Sequence, residues 1–360
     1  MGPSADGPPD RGCRGHRGPG PHRLPLPVRA RRQPRAECLE SRLPDVSVVI
    51  PTTGRPSIAE AVLSARGQQG VSVRIVVVCD LAEVPASVRE LRGHVDEIVC
   101  TGGGRRGSHA RNLGVAHAAP GSHVAFLDDD DTWLPTKLAT QVPVVDRLAA
   151  KGWLPVVSSR ILQRKAGAAP LPTAAPETLI ADGMLPEDYL FRRRHLGVGR
   201  QSLPTSTLVT THELATRCPW DETLPRHQDW DWLVRAARLP HARIVQVEEA
   251  TAVYTVGSPG SISARADWRQ SWEWAKRWEG VWSPETFSDF IAAQTLRYAL
   301  QARDGQGVRE MVRAIRRNSP PSARNAVLAA LGLVPRSTLE RVAMRKSRVA
   351  AGARPSDGAR

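Results

Sequence analysis

Four consecutive aspartates, Asp128, Asp129, Asp130 and Asp131, follow the apolar run His123-Val124-Ala125-Phe126-Leu127. Carboxylates this close repel one another. At the end of a buried strand they become hard oxygen ligands facing the crevice that open α/β sheets use for ligands, where they suit Mg²⁺ or Mn²⁺. A diphosphate can dock on such a cation. An acidic turn that merely caps the next segment needs one or two acids, not four. A second constellation interleaves acids with tryptophan, in Trp220-Asp221-Glu222-Thr223-Leu224 and Gln228-Asp229-Trp230-Asp231-Trp232-Leu233. Carboxylates beside aromatic faces match the hydroxyls and apolar ring faces of a sugar. On a helix, Trp230, Leu233, Val234 and Ala237 form one apolar stripe, and Asp229 and Asp231 lie off it. Surface solvation is the expectation for Asp231, and a cleft-facing position for Asp229. A third motif, Gly102-Gly103-Gly104-Arg105-Arg106-Gly107, matches GxGxxG, with Asp128 about twenty residues later. It supports a rival reading, an NAD-dependent oxidoreductase with Asp128 on a ribose. Against it, the motif does not follow the first strand and its acid sits in a run of four. A flexible loop explains the glycines equally well.

These residues need a scaffold. Val46-Ser47-Val48-Val49-Ile50-Pro51 is a continuous β-branched run, as expected of a strand covered on both faces. Ser57 with Glu60 forms a capping box that predicts a helix through about Gln68. Strands follow at Val73 to Cys79 and Glu97 to Cys100, a helix from about Ser108 to Ala118, and a strand into the aspartates. Strands alternating with helices imply a parallel sheet. Further on come a strand near Val156–Ser158, a Pro/Ala loop around 166–176, a strand near Thr205–Thr210, a helix at 228–238 and a strand at Ala242–Val247. Five of the ten tryptophans crowd into 268–282, and 287–350 reads as helical and basic. Trp268 and Trp272, with Trp274, Trp278 and Trp282, make two i,i+4 rows on one expected helix. Either both rows are packing surface, or one is exposed and lines the acceptor side of the cleft.

Composition limits the alternatives. The net charge of +14 lies in the tails: residues 1–44 carry nine Arg against four acids, residues 301–360 thirteen Arg/Lys against four. Residues 45–300 carry 28 charges of each sign, which argues against a nucleic-acid-binding surface there. Basic tails are mostly solvated, with a weak attraction of the C-terminal one to anionic lipid at the inner face of a membrane as the sharper reading. Residues 1–44, with nine Pro and six Gly, lack the apolar content to join a core and read as disordered. Five widely spaced cysteines without a CxxC pair read as reduced thiols with no structural metal. The longest clean apolar run, Ala326 to Val334, is half of what a bilayer span needs, and Leu24-Pro25-Leu26-Pro27-Val28 is too broken for a signal peptide. The expectation is a cytoplasmic protein. Its layout is a tail over 1–44, an α/β domain over 45–255, a helical extension over 256–350 and a disordered tail over 351–360.

With these residues in place, the sequence resembles the family 2 glycosyltransferases, inverting enzymes of the GT-A fold. Val46-Ser47-Val48-Val49-Ile50-Pro51-Thr52 looks like the family's first strand and nucleotide loop, and Ala110-Arg111-Asn112-Leu113-Gly114 its Ala-Arg-Asn-x-Gly helix start. Phe126 to Asp131 with Trp133-Leu134-Pro135 and Lys137-Leu138 is similar to its DxD region, and Gln228-Asp229 falls where it has Glu-Asp. The resemblance implies a GT-A-like, mostly parallel nucleotide-binding sheet flanked by helices. It implies transfer of a sugar from a nucleoside-diphosphate donor to an acceptor hydroxyl, assisted by Mg²⁺ or Mn²⁺. By resemblance, Asp130 holds the metal, Asp128 and Asp129 the nucleotide-sugar side, and Asp229 is the general base. Arg111 is the candidate for the diphosphate; Pro51, Thr52 and Asp80 are the candidates for the nucleoside pocket. Three departures stand out: Thr53-Gly54 replaces the usual Tyr-Asn, Cys79 leaves Asp80 without its paired Asp, and Gln228 replaces Glu. If Gln228 marks a decayed site, the chain is a non-catalytic sugar-binding relative.

Overall fold

Side chains alternate along an extended chain, and both faces of the first strand are apolar here. Val46, Val48 and Ile50 pack into one core layer and Val49 into another on the opposite side. The computed structural model describes residues 45–192, 201–257 and 267–334, so the expected tails over 1–44 and 351–360 lie outside the described residues. The strands are β1 (Val46–Thr52), β2 (Val73–Cys79), β3 (Glu97–Cys100), β4 (His123–Phe126), β5 (Thr132–Trp133), β6 (Leu154–Lys165), β7 (Ala174–Ala175), β8 (Val209–Thr211) and β9 (Ala242–Val256). They form one sheet in the order β3-β2-β1-β4-β8-β6-β9-β5, with β7 on β6. Strands β3, β2, β1 and β4 are all parallel, as the alternation of strands and helices predicts. Beyond β4 the sheet is mixed: β8 runs antiparallel to both β4 and β6, whereas β6 and β9 pair parallel over twelve positions.

The chain crosses from β3 back over β1 to reach β4, so the strand order reverses between β1 and β4. A crevice opens outside the carboxyl ends of strands at such a point. Thr52 ends β1 there, and the four aspartates leave β4 beside it.

Helix Ile58–Arg66 and helix Lys137–Ala149 cover one face of the sheet. The first starts without the expected capping box. Ser57 has helical dihedrals, φ −60° and ψ −19°, and its side chain makes no cap hydrogen bond, while Glu60 pairs with Arg164 at 2.9 Å. A capping side chain acts from an extended residue, and Ser57 is already wound into the turn. The second helix gives a weak sequence signal because Pro143 stands in its interior.

The opposite face carries helices Arg106–Ala116 and Gln228–Ala236 and, beyond them, the tryptophan-rich helices from Trp268 onward. The expected long tryptophan helix stops at Lys276, so Trp278 and Trp282 lie past its end. Trp268, Trp272, Trp274 and Trp282 are buried together with Trp232, Phe191, Phe287 and Phe290, and Trp278 stacks on Trp282 at 5.8 Å. No exposed row remains to line a cleft. The burial of eight aromatic rings in one place outweighs the separation of the two rows on a helical wheel. The helical extension therefore shares its core with the sheet. No helix among the described residues is long and apolar enough to cross a membrane.

Gly114 marks where helix Arg106–Ala116 touches β1. A methyl group there would lie 2.3 Å from Val49 Cγ1. Gly114→Ala should lower unfolding free energy by about 1–3 kcal/mol through overpacking, read by urea denaturation. Unchanged stability would mean that the helix can lift off the strand at no cost.

Candidate functional site

The four aspartates divide between interior and crevice. Asp129 and Asp131 are buried. The Thr52 hydroxyl donates to Asp129 Oδ2 at 2.6 Å, and the Arg55 guanidinium reaches Asp129 Oδ1 at 2.8 Å. Asp131 accepts from the Ser206 hydroxyl at 2.6 Å and from the Thr255 N–H at 2.7 Å. Asp128 and Asp130 stay partly open, with 30% and 22% of their side chains exposed. Arg111 Nη2 donates to Asp128 at 2.5 Å, and Arg55 Nη1 to Asp130 at 3.0 Å. Arg55 thus straddles one buried and one open carboxylate, a contact with no sequence signal beyond a basic residue after the first strand.

Burial raises the Asp129 carboxyl to about 6, with Thr52 and Arg55 opposing and Asp130 and Asp128 adding to the rise. Burial, then the charges of Asp128 and Asp130, drive Asp131 well above the ordinary range. Of the residues assigned to the nucleotide-sugar side, Asp128 faces the crevice, whereas the Asp129 carboxylate faces inward to Thr52 and Arg55.

The nucleoside candidates sit beside this cluster. Pro51 and Thr52 close β1, opposite Val78 and Cys79. Gly54 holds a left-handed φ of +84°, and a side chain there would strike Pro85 at 2.9 Å. Asp80 is committed to the glycine loop. Its carboxylate accepts from the Thr101 hydroxyl at 2.6 Å and from the Arg105 and Arg106 N–H groups at 2.8 and 2.7 Å. Burial opposes its ionisation, but these hydrogen bonds prevail and hold its pKa below the usual value. The N–H groups that a dinucleotide's pyrophosphate would use are thereby taken, and the loop follows the third strand rather than the first. The oxidoreductase reading finds no support in this geometry.

Arg111 joins the two constellations. Its Nη1 donates to Gln228 Oε1 at 3.2 Å while Nη2 holds Asp128, and its guanidinium lies 4.7 Å from the Trp220 ring. Gln228 Nε2 in turn donates to the Leu224 carbonyl at 2.9 Å. Asp229 follows in the first turn of helix Gln228–Ala236. Burial raises its pKa; the Trp230 N–H and Arg111 oppose the rise, and Asp128 adds to it. Tyr254 of β9 looks onto the same group of acids: burial, then Asp131, Asp229, Asp128 and Asp130, push its phenol above the ordinary value. Sequence reasoning gave no sign of it.

Asp231 overturns the expected surface solvation. It is 2% exposed, accepts from Trp274 Nε1 at 2.9 Å and pairs with Arg235 at 2.7 Å. The i,i+4 arginine supplies the countercharge and the tryptophan helix covers the rest, so its role is to join the two layers.

The profile of glycosyl transferase family 2 matches residues 47–177, from β1 through the aspartates to the end of β7. Residues 47–177 thus carry a glycosyl transferase family 2 domain. It is 29% identical over 221 residues to the amylovoran biosynthesis glycosyltransferase AmsB of Erwinia amylovora, covering 58% of this chain and 68% of that one. It is 33% identical over 113 residues to the succinoglycan biosynthesis protein ExoO of Rhizobium meliloti, 31% of this chain and 32% of that one. Against the crystal structure of S. aureus TarS 1-349 in complex with UDP-GlcNAc, it shows 17% identity over 75% of this chain and 72% of that chain, with a TM-score of 0.48. A likeness that distant says nothing of substrate. The family match over 47–177 and the relation to AmsB make the chain a glycosyltransferase. Asp80, Arg111 and the four aspartates lie within the matched segment, whereas Gln228 and Asp229 lie beyond it.

The donor set at the crevice is all oxygen, the chemistry of a hard cation. No group of three or more His, Cys, Asp or Glu side chains among the described residues could hold a metal ion alone. Asp130, with Asp128 near it, fits the mode in which one or two carboxylates hold Mg²⁺ and substrate phosphates supply the remaining ligands.

The raised carboxyl of Asp129 sets a pH dependence. The folded protein holds this proton more tightly than the unfolded chain, so the contribution of Asp129 to stability is full below pH 4 and declines as pH rises toward about 6. Metal-free Asp129→Asn should show a flatter fall in melting temperature across that window than the parent. An identical profile would rule out Asp129 as its source.

Proposed function

We propose that this glycosyltransferase moves a sugar from a nucleoside-diphosphate donor to an acceptor hydroxyl with inversion, using Asp229 as the general base. The observation that carries the reading is the double reach of Arg111. One guanidinium holds Asp128, from the end of β4, and Gln228, beside Asp229. In this reading that bond pair supports a diphosphate site beside Arg111 and a carboxylate of raised pKa near it, at the strand-order switch.

In this reading the donor's diphosphate lies between Arg111 and the open carboxylates of Asp130 and Asp128, with its nucleoside toward Pro51 and Thr52. A bound Mg²⁺ or Mn²⁺ supplies positive charge that stabilises the departing diphosphate. Asp229 takes the acceptor's proton as the acceptor oxygen bonds to the anomeric carbon. The bond from that carbon to the diphosphate oxygen breaks on the opposite face, which inverts the centre. The elevated pKa of Asp229 makes it a stronger base than a solvated carboxylate. Gln228 limits that rise: a neutral amide accepts from Arg111 without adding a second negative charge beside the base, so Asp229 ionises more readily than it would beside a glutamate. The acceptor is a hydroxyl of a glycan, a lipid-linked saccharide or a small molecule. A cytoplasmic setting, with the basic C-terminal residues drawn weakly to an anionic membrane face, completes the proposal and rests on the charge of residues 301–360.

Two variants test it. Asp130→Ala should abolish metal-dependent donor binding, measured by calorimetry with nucleoside-diphosphate sugars with and without Mn²⁺; metal-dependent binding that survives would remove Asp130 from the site. Asp229→Asn should lower turnover by roughly 10² to 10⁴ with donor affinity little changed. In the parent enzyme kcat should fall on the acid side, as protonation silences the base. Donor binding with no transfer or hydrolysis in the parent would point instead to a non-catalytic sugar-binding relative.

A further inference from the structure

The turn that carries Asp229 is gripped on both sides by one helix of the extension. His227, immediately before helix Gln228–Ala236, has a left-handed φ of 61°. Few non-glycine residues adopt that conformation, and they keep it where their surroundings over-determine it. His227 has such surroundings: it is buried, its ring stacks on Trp230 at 4.6 Å, and its Nε2 meets Ser271 Oγ at 2.8 Å. Burial, with the Arg226 charge adding, holds the imidazole well below its ordinary pKa, so it stays neutral. On the far side of Asp229, Asp231 accepts from Trp274 Nε1 at 2.9 Å. Ser271 and Trp274 are three residues apart and share a helix face; His227 and Asp231 are four apart and share another. The His227 carbonyl accepts the Asp231 N–H at 2.8 Å, closing the turn between the two grips.

We propose that Ser271 and Trp274, acting through His227 and Asp231, are positioning residues for Asp229. The extension then sets where the base stands relative to Arg111 of helix Arg106–Ala116, Asp128 after β4 and Tyr254 of β9, the charged and titratable groups that face it. Neither grip touches a reacting atom; His227 and Asp231 are both buried against Ser271 and Trp274. This inference rests on Asp229 being the base.

Ser271→Ala removes one hydroxyl and Trp274→Phe one N–H, each keeping most of the packing. In both, and more so in the double variant, kcat should fall about tenfold to a hundredfold, the scale at which misplacing a catalytic group acts. Donor Kd by calorimetry should stay within about twofold, and the acid limb of the kcat–pH profile should shift as Asp229 moves relative to Arg111 and Asp128. A purely structural role would lower the melting temperature and leave kcat and the acid limb of the folded enzyme unchanged; that result overturns the inference. Asp229→Asn, assayed alongside, separates the two claims. If it is inactive while the double variant behaves as the parent, positioning alone fails; if it turns over normally, the base assignment fails and positioning with it. Should the double variant not fold, Ser271→Ala decides.

Discussion

Four negative charges on successive residues cannot all be buried, nor all be left to repel one another in a narrow crevice. The structure resolves this by sending alternate carboxylates to opposite sides. Asp129 and Asp131 go inward, where Thr52, Arg55, Ser206 and the Thr255 N–H receive them, and Asp128 and Asp130 stay outward with Arg111 and Arg55. Nearly every element around the crevice contributes one of these partners. Thr52 comes from β1, Arg55 from the loop after it, Arg111 from helix Arg106–Ala116, Ser206 from the turn before β8 and Thr255 from β9. The acidic cluster therefore acts as the hub onto which the two halves of the sheet are tied.

The same logic explains the departures from the usual family pattern. Gly54 occupies a left-handed conformation that asparagine also tolerates, so replacing Asn by Gly preserves the turn after β1. At position 228 both ends of the amide are in use: the oxygen accepts from Arg111 and the nitrogen donates to the Leu224 carbonyl. A glutamate would keep the first bond and set an oxygen against a carbonyl at the second. Cys79 lies fully buried between strands, where a second carboxylate beside Asp80 would lack a partner.

Much of the first half was legible in sequence because its signals are local. Continuous apolar runs gave β1, β2 and β4, and the run of aspartates pointed to the candidate site. The features that escaped depend on distant partners. Arg55 and Tyr254 join the cluster only through the fold, and the i,i+4 rows of tryptophan were read along a single helix that in fact ends at Lys276. Asp231 looked like a surface acid because its countercharge, Arg235, is ordinary on any exposed helix; the burial comes from Trp274, 43 residues away. Ser57 and Glu60 had the right spacing for a capping box, but Glu60 pairs with Arg164 of β6 instead.

The bond from the Thr255 N–H to Asp131 spans 124 residues, and among the described residues β5 pairs with β9 alone. Synthesis proceeds from the N-terminus, so a ribosome releases β1 to β4 and the aspartates well before it releases β9. During that interval the first four strands can form their parallel sheet, while Asp131 lacks its backbone donor and β5 has nothing to pair with. In the half-made chain Asp131 lacks the partners that later bury it, the Ser206 hydroxyl and the Thr255 N–H. The crevice can therefore take its final shape only once Thr255 has joined the sheet, so the part of the chain made last completes the floor beneath residues made far earlier.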